Sequence, residues 1–196
     1  MATASVEEIA AAAVNAPQPY AVKVVIEDYN PEWPTWYASD EEAIRAALGP
    51  GVVRIEHTGS TSVPGLAAKP IIDILLLVPD SADEPAYVPA LESIGYTLRA
   101  REPNWYEHRL LVQRAEDGAP HSINLHVHSP ESAAPEVERI LAFRDWLRTH
   151  PDDRARYESI KRDLANRDWK YVQHYANAKS DIVEEILSRA LPSSRS

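Results

Sequence analysis

Small, hydroxylic, acidic and basic residues are concentrated in residues 54–78, around a turn between two apolar stretches. Gly59 and Ser60 begin this turn. Glycine allows close approach of a ligand to the backbone, and a serine hydroxyl with neighbouring N–H groups can bind phosphate oxygens. Thr61 and Ser62 follow directly. A plain tight turn is the ordinary alternative for an isolated Gly-Ser pair, but the added hydroxyl groups favour a phosphate-binding turn.

Asp73 lies inside a continuous apolar run, Ile71–Val78, which predicts a strand buried on both faces. A carboxylate there is costly unless it is paired or metal-bound, and its hard oxygens suit Mg²⁺. The alternative is a carboxylate capped by backbone groups at the strand end. Lys69 precedes Pro70, which favours extended geometry. Its ammonium group can contact a phosphate, or it can be an ordinary solvated lysine.

A later strand, predicted over Ser122–His128, carries Asn124, His126 and His128 at alternate positions. Alternation places all three on one face of the strand. A histidine there can ligate a metal or act as a general base, and a polar, solvent-facing strip is the alternative. Glu56, near the end of an earlier predicted strand, is a further candidate for either role.

Two Tyr-x-x-x-Lys pairs occur in the C-terminal third, Tyr157 with Lys161 and Tyr175 with Lys179. This spacing puts both members of a pair on one helix face. The lysines either face a triphosphate or extend along packed tyrosines to solvent. Short-chain dehydrogenases also contain Tyr-x-x-x-Lys, but no Gly-x-Gly-x-x-Gly follows an early strand here, so we reject that interpretation.

The chain has 196 residues, of which 44% are hydrophobic and 26% charged, and it contains no cysteine. This length allows one well-packed domain, and the composition excludes disulfides, thiolate catalysis and cysteine-bound zinc. A net charge of −10 argues against broad nucleic-acid binding. No apolar run spans a bilayer and no basic segment begins a secretory signal, so we expect a cytoplasmic location. The oligomeric state is left open.

Periodicity and turn residues predict an α+β fold, with a small mixed β-sheet packed with helices and a helical C-terminal cap. The predicted strands are Val22–Glu27, Val52–His57, Ile71–Val78, Tyr96–Arg99, His108–Arg114 and Ser122–His128. The predicted helices are residues 31–48, a short piece at Pro64–Ala68, then Pro85–Ile94, Glu136–Thr149, Asp152–Asn166 and Val172–Leu191. One domain is expected, with an amphipathic or disordered arm (1–20), an α+β core (21–135), a helical part (136–191) and a tail (192–196).

The run from Glu56 to Ile74 resembles the signature of the GrpB (UPF0157-type) family. Tyr29–Trp33, Leu125–Val127 and Phe143–Arg148 resemble other parts of that family. The family is similar to polymerase-β-like nucleotidyltransferases, which implies a nucleotidyltransferase-like fold. That superfamily's motif is Gly-Ser, a spacer, and an acid–apolar–acid triplet on the next strand. Gly59-Ser60 and Asp73-Ile74 match it, but Leu75 occupies the position of the second acid.

The resemblance implies transfer of a nucleotidyl or related phosphoryl group from a Mg²⁺- or Mn²⁺-bound nucleoside triphosphate, ATP being preferred, to a small-molecule acceptor. Asp73 and His126 are the expected metal ligands, and Asp73, Glu56 and His126 the expected catalytic residues. The expected nucleotide-binding residues are Gly59, Ser60, Thr61, Ser62, Lys69, Lys161 and Lys179.

Leu75 leaves one-metal chemistry, a rearranged site and loss of catalysis open, because two-metal catalysis needs paired carboxylates. The alternative functions are an ATP-dependent ligase that activates a carboxylate for amide formation, and a non-catalytic nucleotide- or metabolite-binding module.

Overall fold

The computed structural model describes residues 13–14, 24–167 and 177–191. Its strands form one five-stranded sheet in the order β1-β2-β5-β4-β3. The strands are β1 Arg54–Thr58, β2 Ile71–Leu77, β3 Thr97–Glu102, β4 His108–Gln113 and β5 Ser122–His128. The α-helices are α1 Trp33–Leu48, α2 Val88–Ser93, α3 Ala134–Thr149, α4 Pro151–Ala165 and α5 Ser180–Ala190. The α+β prediction is therefore confirmed.

The sheet is mixed because β2 and β5 at its centre run parallel, whereas the remaining pairs are antiparallel. In this register Asp73 lies opposite Thr58 on one side and Asn124 on the other. Since side chains alternate between faces, Asp73, Asn124 and His126 share one face of the sheet.

The opposite face of the sheet is apolar. Ile72, Ile74 and Leu76 of β2 are fully buried there with Ile123 and Leu125 of β5. Helices α1 and α2 contribute to this core, which includes the buried side chains of Trp33, Ile44 and Leu91. Burying each such side chain contributes roughly 1.5–3 kcal/mol, so this core fixes the sheet that carries the polar face.

The polar face is covered only in part by helix α3. Val137 of α3 and Ala133, which precedes it, pack against Leu75 and Leu77 of β2. The segment after β1 is held separately, since Val63 and Leu66 pack with apolar residues of the C-terminal helices, namely Leu147, Tyr157, Ile182 and Ile186. These two contacts leave Asp73 at the border between the part of the polar face covered by α3 and the turn after β1.

Two predicted elements in the first half of the chain are wrong. The described part of Val22–Glu27 contains no strand, and only Glu27 forms an isolated bridge, to Ala68. The helical piece predicted at Pro64–Ala68 is absent, and a 3₁₀ turn occurs earlier, at Ser60–Ser62. The Ala68 backbone is therefore extended, because it exchanges two hydrogen bonds with Glu27, both 2.9 Å long.

The helix predicted over Pro85–Ile94 is shorter than expected. A 3₁₀ turn precedes Tyr87, whose φ of −140° interrupts the helical backbone, and α2 starts only at Val88. Proline is accommodated in the first turn of a helix, so Pro89 favours a start just before it.

Several predictions concern residues outside the described ranges. The first part of the helix predicted over Val172–Leu191, the tail and most of the N-terminal arm belong to this group. Of the arm, Val14 donates a backbone hydrogen bond to the Arg99 carbonyl of β3. No helix among the described residues has the length and apolar content needed to cross a bilayer.

Candidate functional site

The turn after β1 contacts Asp73 directly. Gly59 has a φ of +64°, and a Cβ atom at this position would lie 2.2 Å from Asp73 Oδ2. Only glycine fits both this backbone conformation and this approach without rearrangement. Ser62 Oγ donates to the Gly59 carbonyl at 2.6 Å and closes the turn. Thus the geometry of the turn and the position of the carboxylate depend on one another.

Two hydroxyl groups of the turn have structural partners. Thr61 is 1% exposed, donates to the Ile71 carbonyl and contacts His57 Nε2 at 3.0 Å. Ser62 is 5% exposed and bonded to Gly59, as described. Their predicted role in nucleotide binding stays a prediction, but these contacts favour Ser60 as the hydroxyl that faces a ligand.

The Asp73 carboxylate is anchored by an amide. Asn124 Nδ2 donates to Asp73 Oδ1 at 2.9 Å, and His126 Nε2 lies 3.9 Å from the same oxygen. The Asp73 side chain is 29% exposed. Burial raises its pKa, but His126, Asn124 and the charge of Lys179 outweigh that effect and hold the pKa below its usual value. The carboxylate is therefore ionised at neutral pH and can receive a cation.

The orientation of Asn124 is set by Arg114, which the sequence did not single out. Arg114 Nη2 donates to Asn124 Oδ1 at 2.8 Å, and Nη1 donates to the Ile123 carbonyl at 2.6 Å. With the amide oxygen occupied in this way, the amide NH₂ group must face Asp73.

Lys161 lies on the other side of the turn. Its side chain is 2% exposed, and Nζ donates to Ser60 Oγ at 3.0 Å and to the Ala67 carbonyl. Nζ also lies 4.8 Å from the centre of the Tyr157 ring. Burial, together with the charge of Lys179, lowers the pKa of Lys161 to about 7. An anion bound here would favour the charged form of this lysine.

Lys69 and Lys179 belong to the same electrostatic environment. Burial lowers the pKa of both side chains, and Asp73 raises both. The charge of Lys179 further lowers the pKa of Lys69. All three predicted phosphate-binding lysines thus interact electrostatically with Asp73, although Lys161 and Lys179 are distant from it in the sequence.

His126 is bonded to a second histidine on the neighbouring strand. His108 Nε2 lies 3.0 Å from His126 Nδ1, and His108 Nδ1 lies 2.7 Å from Glu102 Oε2. The sequence did not single out His108 and Glu102 as site residues. Alternation along β4 could have placed His108 on the polar face, but no sequence pattern gives the pairing of β4 with β5.

Two other candidates are engaged elsewhere. Glu56 forms ion pairs with Arg144 and Arg54, each at 2.8 Å. Burial raises the pKa of Glu56, but the guanidinium groups of Arg144 and Arg54 lower it by more, so the pKa lies below its usual value. A carboxylate with a low pKa is a poor general base. Glu56 lies opposite Leu75, on the same face of the sheet as Asp73, and its catalytic role stays a prediction. His128 is fully buried and stacks on His108, with ring centroids 4.7 Å apart.

The side chains around Asp73 supply only part of a metal's coordination shell. Across the described residues, no group of three or more His, Asp or Glu side chains could hold an ion. Asp73 and His126 supply two donors near one point. Mg²⁺ often binds through one or two protein carboxylates together with substrate phosphates and water, so one carboxylate beside a phosphate-binding turn fits that mode. Leu75 occupies the position of the second acid, and its side chain is 1% exposed in the core beneath α3.

These features define an α+β protein with one mixed sheet. The polar residues Asp73, Asn124 and His126 on one face of this sheet lie beside a glycine-containing turn and buried lysines. The sequence profile described as GrpB protein matches residues 23–189. The chain therefore belongs to the GrpB family.

Individual relatives agree with this assignment. A UPF0157 protein of Halalkalibacterium halodurans is 50% identical over 184 residues, which cover 94% of this chain and 91% of that protein. The crystal structure of the conserved protein GrpB from Enterococcus faecalis superposes with a TM-score of 0.75 at 29% identity, covering 86% of this chain and 98% of that one. A more distant relative, a dephospho-CoA kinase of Mycolicibacterium paratuberculosis, is 27% identical over 82% of this chain and 44% of its own length.

Proposed function

We propose that this protein transfers a nucleotidyl or related phosphoryl group from a magnesium-bound nucleoside triphosphate to a small molecule. The observation that carries the proposal is the contact between the Gly59–Ser60 turn and Asp73, with Lys161 bonded to Ser60. This contact places an anion-binding group and a cation-binding group side by side. A metal-bound triphosphate needs an anion-binding group and a cation-binding group next to one another, since phosphoryl transfer is catalysed mainly by positioning and charge neutralisation.

Each residue then has a defined task. Ser60 and Lys161 bind phosphate oxygens, and Lys69 and Lys179 add positive charge. Asp73 and His126 hold Mg²⁺ or Mn²⁺, which when bound neutralises charge on the phosphates. Asn124 keeps Asp73 Oδ1 oriented toward His126. His126 Nε2 is alternatively positioned to accept a proton from the attacking hydroxyl or amine.

A dephospho-CoA kinase among the distant relatives is consistent with a nucleotide-related context. That name describes a protein of which this chain matches 44%. The support that this relative gives to nucleotide binding is that a region similar to this chain occurs in a protein with that name.

A second candidate is a non-catalytic nucleotide-binding module, and Leu75 is the observation that favours it. The buried Leu75 removes the second carboxylate that two-metal catalysis requires. Such a module would bind ATP through the lysines and the turn, without dependence on a metal and without forming product.

Thermal unfolding with ATP, in the presence and absence of Mg²⁺, separates the two candidates. A ligand present at 100 times its Kd adds about 2.7 kcal/mol of stability. We expect Mg²⁺ to increase the stabilisation by ATP in the wild type. In Asp73→Asn we expect Mg²⁺ to have no such effect. The control is Asp163→Asn, because Asp163 is exposed on α4. ATP stabilisation that is independent of Mg²⁺ in all three proteins would favour the module.

Turnover is measured next with mixed hydroxyl and amine acceptors, as pyrophosphate released by nucleotidyl transfer or ADP released by phosphoryl transfer from ATP. We expect Mg²⁺-dependent release that Asp73→Asn abolishes and Asp163→Asn preserves. Release that is unchanged in Asp73→Asn would refute the proposed role of this carboxylate.

A further inference from the structure

A chain of side-chain contacts runs from the edge of the sheet to Asp73. Glu102 Oε2 lies 2.7 Å from His108 Nδ1, and His108 Nε2 lies 3.0 Å from His126 Nδ1. On its far side, His126 Nε2 lies 3.9 Å from Asp73 Oδ1. Each histidine therefore uses one ring nitrogen toward Glu102 and the other toward Asp73.

The direction of the hydrogen bonds follows from the first group in the chain. An ionised carboxylate can only accept, so His108 Nδ1 donates to Glu102. In neutral His108 the other ring nitrogen, Nε2, has no proton and must accept. His126 Nδ1 is then the donor of the second bond, and neutral His126 has a lone pair at Nε2.

We propose that Glu102 and His108 are positioning residues that hold His126 in its Nδ1-protonated tautomer and present its Nε2 lone pair toward Asp73. The proposal rests on the proposed function, because this lone pair is what makes His126 a metal ligand or a proton acceptor. Metal-bound histidines commonly donate their second ring N–H to another group, which fixes the tautomer and the ring orientation. Here a neutral imidazole takes the place of that group.

The surroundings of His108 oppose the reverse arrangement, in which a charged His108 donates to His126. His108 is 2% exposed and lies between aromatic rings, with the His128 centroid at 4.7 Å and the edge-on Trp105 centroid at 4.7 Å. A neutral His108 is therefore the favoured state at neutral pH.

The turn between β3 and β4 is built to bring Glu102 and His108 together. Tyr106 and Glu107 have φ values of 54° and 52°, which side-chain-bearing residues rarely adopt. Such conformations persist only where surrounding contacts determine them. One such contact is the hydrogen bond from the His108 backbone N–H to the Trp105 carbonyl, at 3.0 Å.

The wild-type protein alone can test the tautomer. Nitrogen-15 NMR of ¹⁵N-histidine-labelled full-length protein, well above the ordinary histidine pKa of about 6.5, distinguishes protonated from unprotonated ring nitrogens. We expect His126 to have a proton on Nδ1 and none on Nε2, with the resonance assigned by its loss in His126→Gln. A proton on Nε2 would overturn the proposal.

A variant tests whether Glu102 is the cause. Glu102→Leu removes the acceptor at the start of the chain, so we expect His126 to shift to the Nε2-protonated form or to a mixture of tautomers. Glu131→Leu is the control, because Glu131 is exposed in the loop before α3, and it leaves the spectrum unchanged. An unaltered His126 tautomer in folded Glu102→Leu would also overturn the proposal.

Binding of Mn²⁺ alone, followed by electron paramagnetic resonance, links the tautomer to the site. Loss of a partner behind a metal ligand typically weakens metal affinity by about 10–100-fold, and we expect at least a tenfold loss in Glu102→Leu. Affinity equal to that of wild type would contradict the positioning role. Absence of Mn²⁺ binding to the wild type would refute the metal role under the proposed function, while the NMR measurement would still decide the tautomer.

Discussion

Asp73 and Leu75 lie two positions apart on β2 and face the same side of the sheet, yet their surroundings differ. The Asp73 side chain is 29% exposed and bonded to Asn124, whereas Leu75 is 1% exposed beneath α3. The boundary between solvent-accessible polar groups and the buried core thus falls between two successive same-face positions of one strand. A second carboxylate would lie on the sealed side of this boundary.

This contrast shows that a second acid at position 75 would require more than a single replacement in this chain. Helix α3 covers the position at which the second acid would stand. A carboxylate there would be covered by the apolar side chains of Ala133 and Val137, although Glu56 and His126 lie opposite position 75 on the neighbouring strands. A leucine at position 75 and coverage by helix α3 therefore belong together.

Leu75→Asp is expected to have the largest effect. The variant buries a carboxylate against the apolar side chains of Leu77, Ala133 and Val137, so we expect a loss of about 3 kcal/mol in the free energy of unfolding, measured by urea denaturation. Leu75→Met, which nearly conserves volume, should lose less than about 1.5 kcal/mol. A stable Leu75→Asp protein that binds a second Mn²⁺ would show that the boundary is not set by α3.

Gly59→Ala tests the solvent-accessible side of the boundary, where the turn after β1 contacts Asp73. Its Cβ would lie 2.2 Å from Asp73 Oδ2, and its φ is +64°. We expect a loss of about 2–3 kcal/mol, from backbone strain of about 1–2 kcal/mol plus displacement of Asp73, together with loss of the Mg²⁺-dependent ATP stabilisation. Gly65→Ala is a matched control, since Gly65 has a φ of +78° and a methyl group added there would meet no atom within 4 Å.

Gly65→Ala should therefore lose only the strain component and keep the effect of Mg²⁺ on ATP binding. Equal behaviour of the two variants would show that the close approach of Gly59 to Asp73 has no functional consequence.

The buried Lys161 predicts a pH dependence of stability. Its pKa is lowered from 10.5 to about 7 in the folded protein. Between these values the unfolded chain binds a proton that the folded protein does not, so this lysine makes the free energy of unfolding rise with pH. The contribution is at most about 1.4 kcal/mol per pH unit.

Urea denaturation at several pH values above 7 measures this slope. Lys161→Met should reduce it by about one proton's contribution, whereas Arg167→Met, at an exposed position just after α4, should not. An unchanged slope in Lys161→Met would mean that this lysine stays charged in the folded protein.

Glu56→Gln is expected to have the smallest effect. The variant removes the charge that pairs with Arg144 but keeps an oxygen acceptor, so we expect a loss of about 1 kcal/mol in stability. The Mg²⁺-dependent ATP stabilisation and turnover should remain. A large fall in turnover with unchanged stability would restore Glu56 as a catalytic base.

Apolar runs, alternation and turn residues were enough to predict the five strands of the sheet, and alternation placed Asn124 and His126 on one face, although the strand predicted at Val22–Glu27 was wrong. The Gly59–Ser60 turn and its closeness to Asp73 were also accessible, because both lie in one short segment. The bond between Glu102 and His108 was not, since it depends on how β3 pairs with β4, and that register shifts between Leu98 and Ala100.

Long-range contacts were equally inaccessible. Lys161 is 101 positions from Ser60, and Arg144 is 88 positions from Glu56. Helical spacing predicts which residues share a face but not which distant group that face meets. For this reason the sequence suggested a phosphate role for Lys161 without its bond to Ser60, and a catalytic role for Glu56 without its ion pairs.

The parallel pairing of β2 with β5 has a consequence for how the protein folds. Asp73 and Asn124 are 51 positions apart, so this pair closes a long loop before it gains any stabilisation. Lys161 joins the turn only after a still longer separation. During synthesis, the nucleotide binding that we propose should therefore appear late and abruptly, once residues beyond Lys161 have left the ribosome, rather than growing gradually with chain length.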